Sequence, residues 1–372
     1  GEASEDGAMK IRTKYLAFLA ALILCASAAC GAEMTVTDCL GRSVTVPAAP
    51  ERIIGSGSGA LRLLTYLQAN DRVIAVDSIE KRNDPPPGKA SRPYALAHPE
   101  FAGLPLFGEF RGKDNPELIA GLSPQPQVIF KVSPLSGPHP DQLTAKTGIP
   151  VIGLEYGNLS DKKVQFYATL RLMGKVLDKE QRAEEGVAFF EGHLAELRRR
   201  TAGIPEEERR SCYIGGVSMR GTHGFTSTEI GYPPFLYTGA KNVAADGSGK
   251  SETVSVAKEK ILQWDPQVVF MDINTLRAKG EAGGLRQLSF DPVYVELSAV
   301  KSGEIWSVLP YNSYTINYGS VLVNSYFVGK TLYPERFADV EIASVADEIY
   351  SFLVGKPLYA QISEALSGKI FS

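Results

Sequence analysis

The chain carries one short block twice. Asn115-Pro116-Glu117-Leu118-Ile119 leads to Pro126-Gln127-Val128-Ile129-Phe130, and Ala257-Lys258-Glu259-Lys260-Ile261 leads to Pro266-Gln267-Val268-Val269-Phe270. Each reads as a short helix, a proline and a nearly identical apolar strand. A strand without polar alternation is covered on both faces, and helices packed on a parallel sheet supply that cover. Two such blocks far apart in the sequence imply two α/β halves of similar build. The length agrees, because 372 residues exceed what one core usually fills.

The flanking sequence extends the alternation. Thr35 to Thr37 and Ser43 to Val46 flank Gly41-Arg42, a hairpin signal. Strands are expected at Arg52 to Ile54, Arg72 to Val76 and Val151 to Leu154, with helices at Ala60 to Leu67 and Asp141 to Lys146. Residues 161–202 offer no strand. There Ala183, Val187, Phe190, Leu194 and Leu197 recur at four-three spacing, which predicts one long helix over 179–201. After Arg210 strands return at Cys212 to Val217 and Glu304 to Leu309, followed by helices at Val321 to Leu332 and Ser344 to Leu353. The expected architecture is α/β: two lobes with mainly parallel sheets, residues 33–160 and 203–372, joined through a helical linker at 161–202.

Residues 1–32 read as an export signal. Lys10, Arg12 and Lys14 follow Met9, an apolar run spans Tyr15 to Cys25, and small residues close it. Residues 1–8 precede Met9 and are left out of the fold reading. Two processing routes stay open. Cleavage after Ala28 or Ala32 releases the chain into the periplasm. Alternatively Cys30 is lipidated, although Ser27 stands where a lipobox usually has Leu. Beyond the leader only Cys39 and Cys212 remain. Export permits a disulfide, but the two lie in different halves and a bridge needs Cα atoms within about 7 Å, which weighs against one.

The chemistry is sparse. A formal net charge of -3 gives no general pull on nucleic acid. Ala244 to Ser251 ends like a phosphate loop but lacks its first glycine and a good preceding strand. None of the four histidines pairs with another at metal-ligand spacing. His193 on the long helix reads as solvated. No nucleophile elbow, Ser-His-Asp, Cys-His or paired-carboxylate set can be assembled, so the chain reads as a binder without a cofactor, not an enzyme.

Ligands of open α/β sheets sit beyond the carboxyl ends of strands, and that rule picks the candidates. Ser58 lies in the Gly55 to Gly59 turn after a strand. Arg220 and His223 follow the strand at 212–217. Tyr156 follows Leu154, and Arg111 follows Gly108-Glu109-Phe110. Pro310 to Tyr318 follows another strand and brings Tyr311, Asn312, Tyr314 and Tyr318. Arginine among tyrosine hydroxyls suits an anionic or chelated ligand.

Thr37-Asp38-Cys39-Leu40-Gly41-Arg42-Ser43-Val44-Thr45-Val46-Pro47, then Pro50-Glu51-Arg52-Ile53-Ile54, resembles the mature start of the class III periplasmic substrate-binding proteins of iron-complex and cobalamin ABC importers. The tail from Gly303-Glu304-Ile305-Trp306 to Leu332-Tyr333-Pro334-Glu335-Arg336-Phe337 is similar to theirs as well. The resemblance implies two lobes tied by one rigid bridging helix, a monomer, and a ligand in the interlobe cleft. It also implies an acidic residue on each lobe docking onto the inner-membrane permease, matched here by Glu117 and Glu259. The implied function is periplasmic capture of an iron chelate such as a siderophore, haem or a similar metal complex. A molybdate- or tungstate-type oxyanion is the alternative ligand, and an enzyme on a related two-lobed fold is the alternative of another class.

Overall fold

The computed structural model describes residues 31–85, 87–277, 283–368 and 371. Residues 1–30, most of the expected export signal and with it Cys30, the candidate for lipidation, lie outside the described residues. Strands β1 (Glu33–Thr37) and β2 (Ser43–Pro47) form the expected antiparallel hairpin. The chain continues through β3 (Ile53–Ser56), α1 (Ala60–Tyr66), β4 (Val76–Asp77), α2 (Pro93–Ala97), β5 (Leu106–Glu109) and β6 (Lys113–Asp114). Then come α3 (Pro116–Ala120), β7 (Val128–Val132), α4 (Pro140–Thr147) and β8 (Val151–Leu154). β7 lies between β3 and β8 in a parallel sheet, and β4, β5 and β6 make a smaller sheet. Every residue of β7 is buried, as the apolar run Val128 to Phe130 requires, and that includes Lys131. The strand expected over Arg72 to Val76 shrinks to β4. A 3-10 turn occupies Asn70–Arg72, and Val73 keeps only a single bridge to Ile53.

The helical middle is a pair, α5 (Lys163–Leu177) and α6 (Glu180–Thr201). At 22 residues, α6 is about 33 Å long. The four-three stripe is its buried face: Ala183, Val187, Phe190, Leu194 and Leu197 are all buried. The second half contains β9 (Ser211–Gly215), β10 (Ser227–Glu229), α7 (Pro233–Thr238), β11 (Lys241–Asn242), β12 (Thr253–Ser255) and α8 (Lys258–Trp264). β13 (Val268–Asp272), β14 (Ile305–Val308), α9 (Tyr318–Leu332) and α10 (Ile342–Val354) follow, with further short helices between them. The order β11-β9-β13-β14 is parallel throughout. The fold is thus two α/β lobes with mainly parallel sheets and a long helix bridging them.

The bridge has company. α10 comes after the second sheet yet packs on α1 and α2 of the first lobe. Arg182 of α6 ties the joint: its guanidinium donates to the Tyr66 carbonyl (2.9 Å) and to the Phe352 carbonyl, and lies 4.0 Å from the Phe352 ring centroid. One apolar core therefore runs from Ile53 and Phe130, through Phe190 and Leu194, to Ile214 and Phe270. His193 is corrected by the same packing. It is half-buried rather than freely solvated, because its ring meets Phe189 edge-on and its Nδ1 lies 2.7 Å from the Tyr326 hydroxyl. Burial holds its pKa below the usual imidazole value. Cys39 and Cys212 are both free, one exposed and one buried.

Candidate functional site

Between the lobes, at the carboxyl ends of β3, β7, β9 and β13, lies a cleft of about 720 Å³. Its first wall comes from the turn after β3 (Gly57, Ser58), the loop after β7 (Ser133, Ser136) and the β5–β6 turn (Phe110, Arg111). The opposite wall comes from the loop after β9 (Ser218 to Thr222) and from Asn274 after β13. The floor is the segment Asn312 to Thr315, which crosses from β14 toward α9. Small hydroxyls and amides dominate.

The guanidinium groups along the cleft differ in their partners. Arg82 pairs with Asp84 at 3.1 Å, and the buried Arg92 pairs with Glu80 at 3.0 Å. Arg111 and Arg220, one from each lobe, have no carboxylate within salt-bridge distance among the described residues. Both are exposed, and both have a positive φ, 63° and 55°. Of the 11 non-glycine residues with positive φ among the described residues, five line this cleft: Arg111, Ser133, Arg220, Tyr314 and Thr315. Such backbone is strained for L residues, and strain of this kind collects at functional sites.

The crossing segment is held from the first lobe by a side chain that sequence reasoning missed. Arg62 of α1 is 1% exposed. It donates to the carbonyls of Ser313 (3.0 Å), Tyr314 (3.2 Å) and Ile316 (3.1 Å), and to the Tyr156 hydroxyl (2.8 Å). Asn317 Nδ2 adds a bond to the Ser91 carbonyl at 3.0 Å. Gly59 makes the approach possible. At φ 91°, a Cβ there would overlap the Tyr156 ring and come within 2.7 Å of Thr315 Cγ2.

Five of the nine residues proposed from the sequence line the cleft: Ser58, Arg111, Arg220, Asn312 and Tyr314. The other four do not. Tyr156 is behind the wall, its hydroxyl donating to the Ile316 carbonyl at 2.6 Å. Tyr318 stacks between Tyr156 and Phe166 at 5.0 Å and 3.8 Å and donates to the Tyr156 carbonyl. Tyr311 is 2% exposed and donates to the buried Glu229 carboxylate. His223 Nε2 lies 2.7 Å from the Met219 carbonyl, inside its own loop. The turns of the crossing segment send one tyrosine into the cleft and the others into the core. The strand-end rule also fits Ser133, Ser136, Ser218 and Asn274, each just beyond a strand, but serines and a single asparagine carry little signal alone. Glu117 and Glu259 are exposed in the first turns of α3 and α8.

Two buried carboxyls flank the floor. Burial pushes Asp77 up to about 7, against the hydrogen bonds from Tyr314 and the Ile79 N–H. Burial likewise pushes Asp272 up to about 8, against main-chain bonds from Asn274 and Tyr311. Among the described residues no group of three or more His, Cys, Asp or Glu side chains is placed to hold a metal ion.

Two α/β lobes thus enclose a polar cleft beyond the carboxyl ends of their strands, the place where ligands of such sheets bind. The sequence profile of the periplasmic binding protein family matches residues 61–309, and the chain belongs to that family. It is 22% identical over 338 residues to the molybdate-binding protein MolA of Haemophilus influenzae, covering 86% of this chain and 90% of that one. The solved structure of that MolA bound to molybdate superposes with a TM-score of 0.63 at 21% identity, covering 86% and 98% of the two chains. A periplasmic solute-binding protein of Veillonella parvula is similar at TM-score 0.65 and 18% identity, covering 91% and 97%. A protein of an Fe3+-hydroxamate ABC transport system from Saccharomonospora viridis is similar at 0.53 and 22%, covering 81% and 99%. At these identities the likeness carries the fold. Proteins of this family work outside the cytoplasm and hand small ligands to ABC permeases. No helix among the described residues is long and apolar enough to cross a membrane.

Proposed function

We propose that the chain is the extracytoplasmic substrate-binding component of an ABC importer whose cargo is a small oxyanion of the molybdate or tungstate type. The observation that carries this is the pair Arg111 and Arg220, one from each lobe, lining a hydroxyl-rich cleft without carboxylate partners among the described residues. Guanidinium groups and serine hydroxyls are donors, and an oxyanion offers only acceptors. Ser58, Asn312 and Ser133 add donors around the same space. The likeness to a molybdate binder supports the same class. Tyr156, Tyr311 and Tyr318 act in this reading as the frame behind the cleft.

An anionic iron chelate such as a siderophore or haem is the second reading, favoured by one observation. The cleft of about 720 Å³ falls in the range of sites for drug-sized ligands, well above what a tetrahedral oxyanion fills. Native mass spectrometry with elemental analysis of the exported chain separates the two. One molybdenum or tungsten per chain supports the first, and bound iron supports the second. Turnover of an added substrate would overturn both. Glu117 and Glu259 are proposed to dock on the permease. Replacing both with alanine leaves ligand binding intact and abolishes uptake in vesicles carrying the permease. Unchanged uptake refutes the docking role.

A further inference from the structure

Tyr314 of the crossing segment reaches into the first lobe. Its hydroxyl donates to Asp77 Oδ2 and accepts the Arg111 N–H at 3.0 Å. A tyrosine hydroxyl has a single hydrogen to donate, and here it is spent on Asp77. Although Tyr314 lines the cleft, its hydroxyl has no donor left for a ligand that offers only acceptors.

What the bond does instead is visible in the β5–β6 turn. Arg111 occupies the left-handed region, φ 63°, with Gly112 beside it at φ 75°. Arginine has no intrinsic preference for that region, so its neighbours must impose it. The Arg111 N–H is bound by Tyr314, and the Arg111 carbonyl accepts from Ser136 Oγ at 2.9 Å. The next carbonyl, that of Gly112, accepts from Lys131 Nζ at 2.9 Å. The guanidinium lies 4.9 Å from the Phe110 ring centroid, and that ring stands 6.5 Å from the Tyr314 ring. Asp77 is itself fixed: it is 5% exposed, and its other oxygen accepts the Ile79 N–H at 3.1 Å.

We infer that Asp77 and Tyr314 are positioning residues. The pair holds the Arg111 main chain in its left-handed turn and so aims the Arg111 guanidinium into the cleft. The inference rests on the anion reading of the cleft and deepens it. It makes one arginine's placement depend on a hydroxyl delivered by the segment that joins the lobes.

The test is a mutant cycle read by calorimetric titration of the exported chain with molybdate. Tyr314→Phe keeps the ring and removes only the hydroxyl. It is expected to weaken binding about tenfold, the effect of one lost hydrogen bond. In an Arg111→Ala background the same change is expected to have no further effect, because its action passes through Arg111. Asp77→Asn leaves one oxygen where two donors, the Ile79 N–H and the Tyr314 hydroxyl, each had their own. It is therefore expected to weaken binding in the same direction as Tyr314→Phe, and parent-like binding would remove Asp77 from the inference. The inference is overturned if Tyr314→Phe binds like the parent, or if it costs the same factor with and without Arg111. Should the parent fail to bind molybdate, the oxyanion reading falls, and hydrogen exchange decides the positioning. The Arg111 amide loses protection in Tyr314→Phe if the inference holds, and unchanged protection overturns it.

Discussion

Lys131 is an ammonium in the middle of a fully buried strand, and replacing it tests how the cleft's first wall is supported. It forms an ion pair with Asp114 in which both side chains are 0% exposed. Ser56 Oγ donates to the second Asp114 oxygen at 2.6 Å, and Lys131 Nζ donates to the Gly112 carbonyl at 2.9 Å. Lys131→Met fills much the same volume but leaves Asp114 charged and buried with only a hydroxyl for company. Breaking a buried pair from one side costs about 3–5 kcal/mol. Asp114→Asn strands the ammonium instead and costs a similar amount. The double variant strands neither charge, so its stability is expected within about 1–2 kcal/mol of the parent, far from the sum of the singles. Urea unfolding followed by tryptophan fluorescence measures all three, and one apolar core shared by both lobes favours a single transition. Binding behaves differently. The Gly112 carbonyl, one residue from Arg111, loses its lysine donor in the double variant too. Ligand affinity therefore stays reduced after stability returns. A double variant as unstable as the summed singles, or one whose affinity recovers with its stability, refutes the reasoning.

Three further outcomes are expected. Arg111→Ala and Arg220→Ala each remove a charged donor from the cleft, which is worth about 1.5–3 kcal/mol of anion affinity, or roughly ten- to a hundredfold by titration; a change under twofold at both would rule out the anion site. Gly59→Ala places a Cβ against Tyr156 and Thr315 at φ 91°, so the melting temperature falls by an amount equivalent to about 1–3 kcal/mol, and an unchanged melt would show that the crossing segment can move aside. Asp272 holds its proton up to about pH 8 in the fold but releases it near pH 4 when unfolded; its contribution is complete below pH ~4 and is lost between there and about 8, at up to about 1.4 kcal/mol per pH unit. Asp272→Asn flattens that part of the stability profile, and an unaltered slope would mean that Asp272 ionises normally in the fold.

Much of the fold was legible because it depends on local pattern. The four-three stripe from Ala183 to Leu197 became the buried face of α6, since only one register of a 3.6-residue helix puts those side chains together. Asn115 was readable as a cap because its side chain accepts the N–H groups of Glu117 and Leu118, as an N-cap should. The cleft was harder to read. Strand ends point at loops, but which side chain of a loop faces outward depends on turns that no short pattern encodes. Tyr311, Tyr314 and Tyr318 look alike in sequence, yet two left-handed residues, Tyr314 and Thr315, separate the one on the cleft from the two in the core. Arg62 was invisible for a related reason. Its role is to bind main-chain carbonyls roughly 250 positions later, at Ser313 to Ile316, and carbonyls belong to every residue, so no side-chain pattern marks them.

The strain at the cleft and the buried polar bonds beneath it belong to one design. A left-handed arginine costs on the order of 1 kcal/mol or more over its relaxed backbone. Alone in a solvent-exposed turn it would relax, and its guanidinium would sweep through many positions. Arg111 stays because its N–H and carbonyl, and the carbonyl after it, are each bound by a side chain from a different element: Tyr314, Ser136 and Lys131. Lys131 in turn requires Asp114 and Ser56, and Tyr314 requires Asp77 and the Arg62 clamp. Buried polar groups that would be unfavourable in a plain core are thereby used to hold an exposed cation still. If ligand affinity comes from an immobilised charge rather than a mobile one, substitutions deep in β7 or α1 will weaken binding as much as substitutions in the cleft itself.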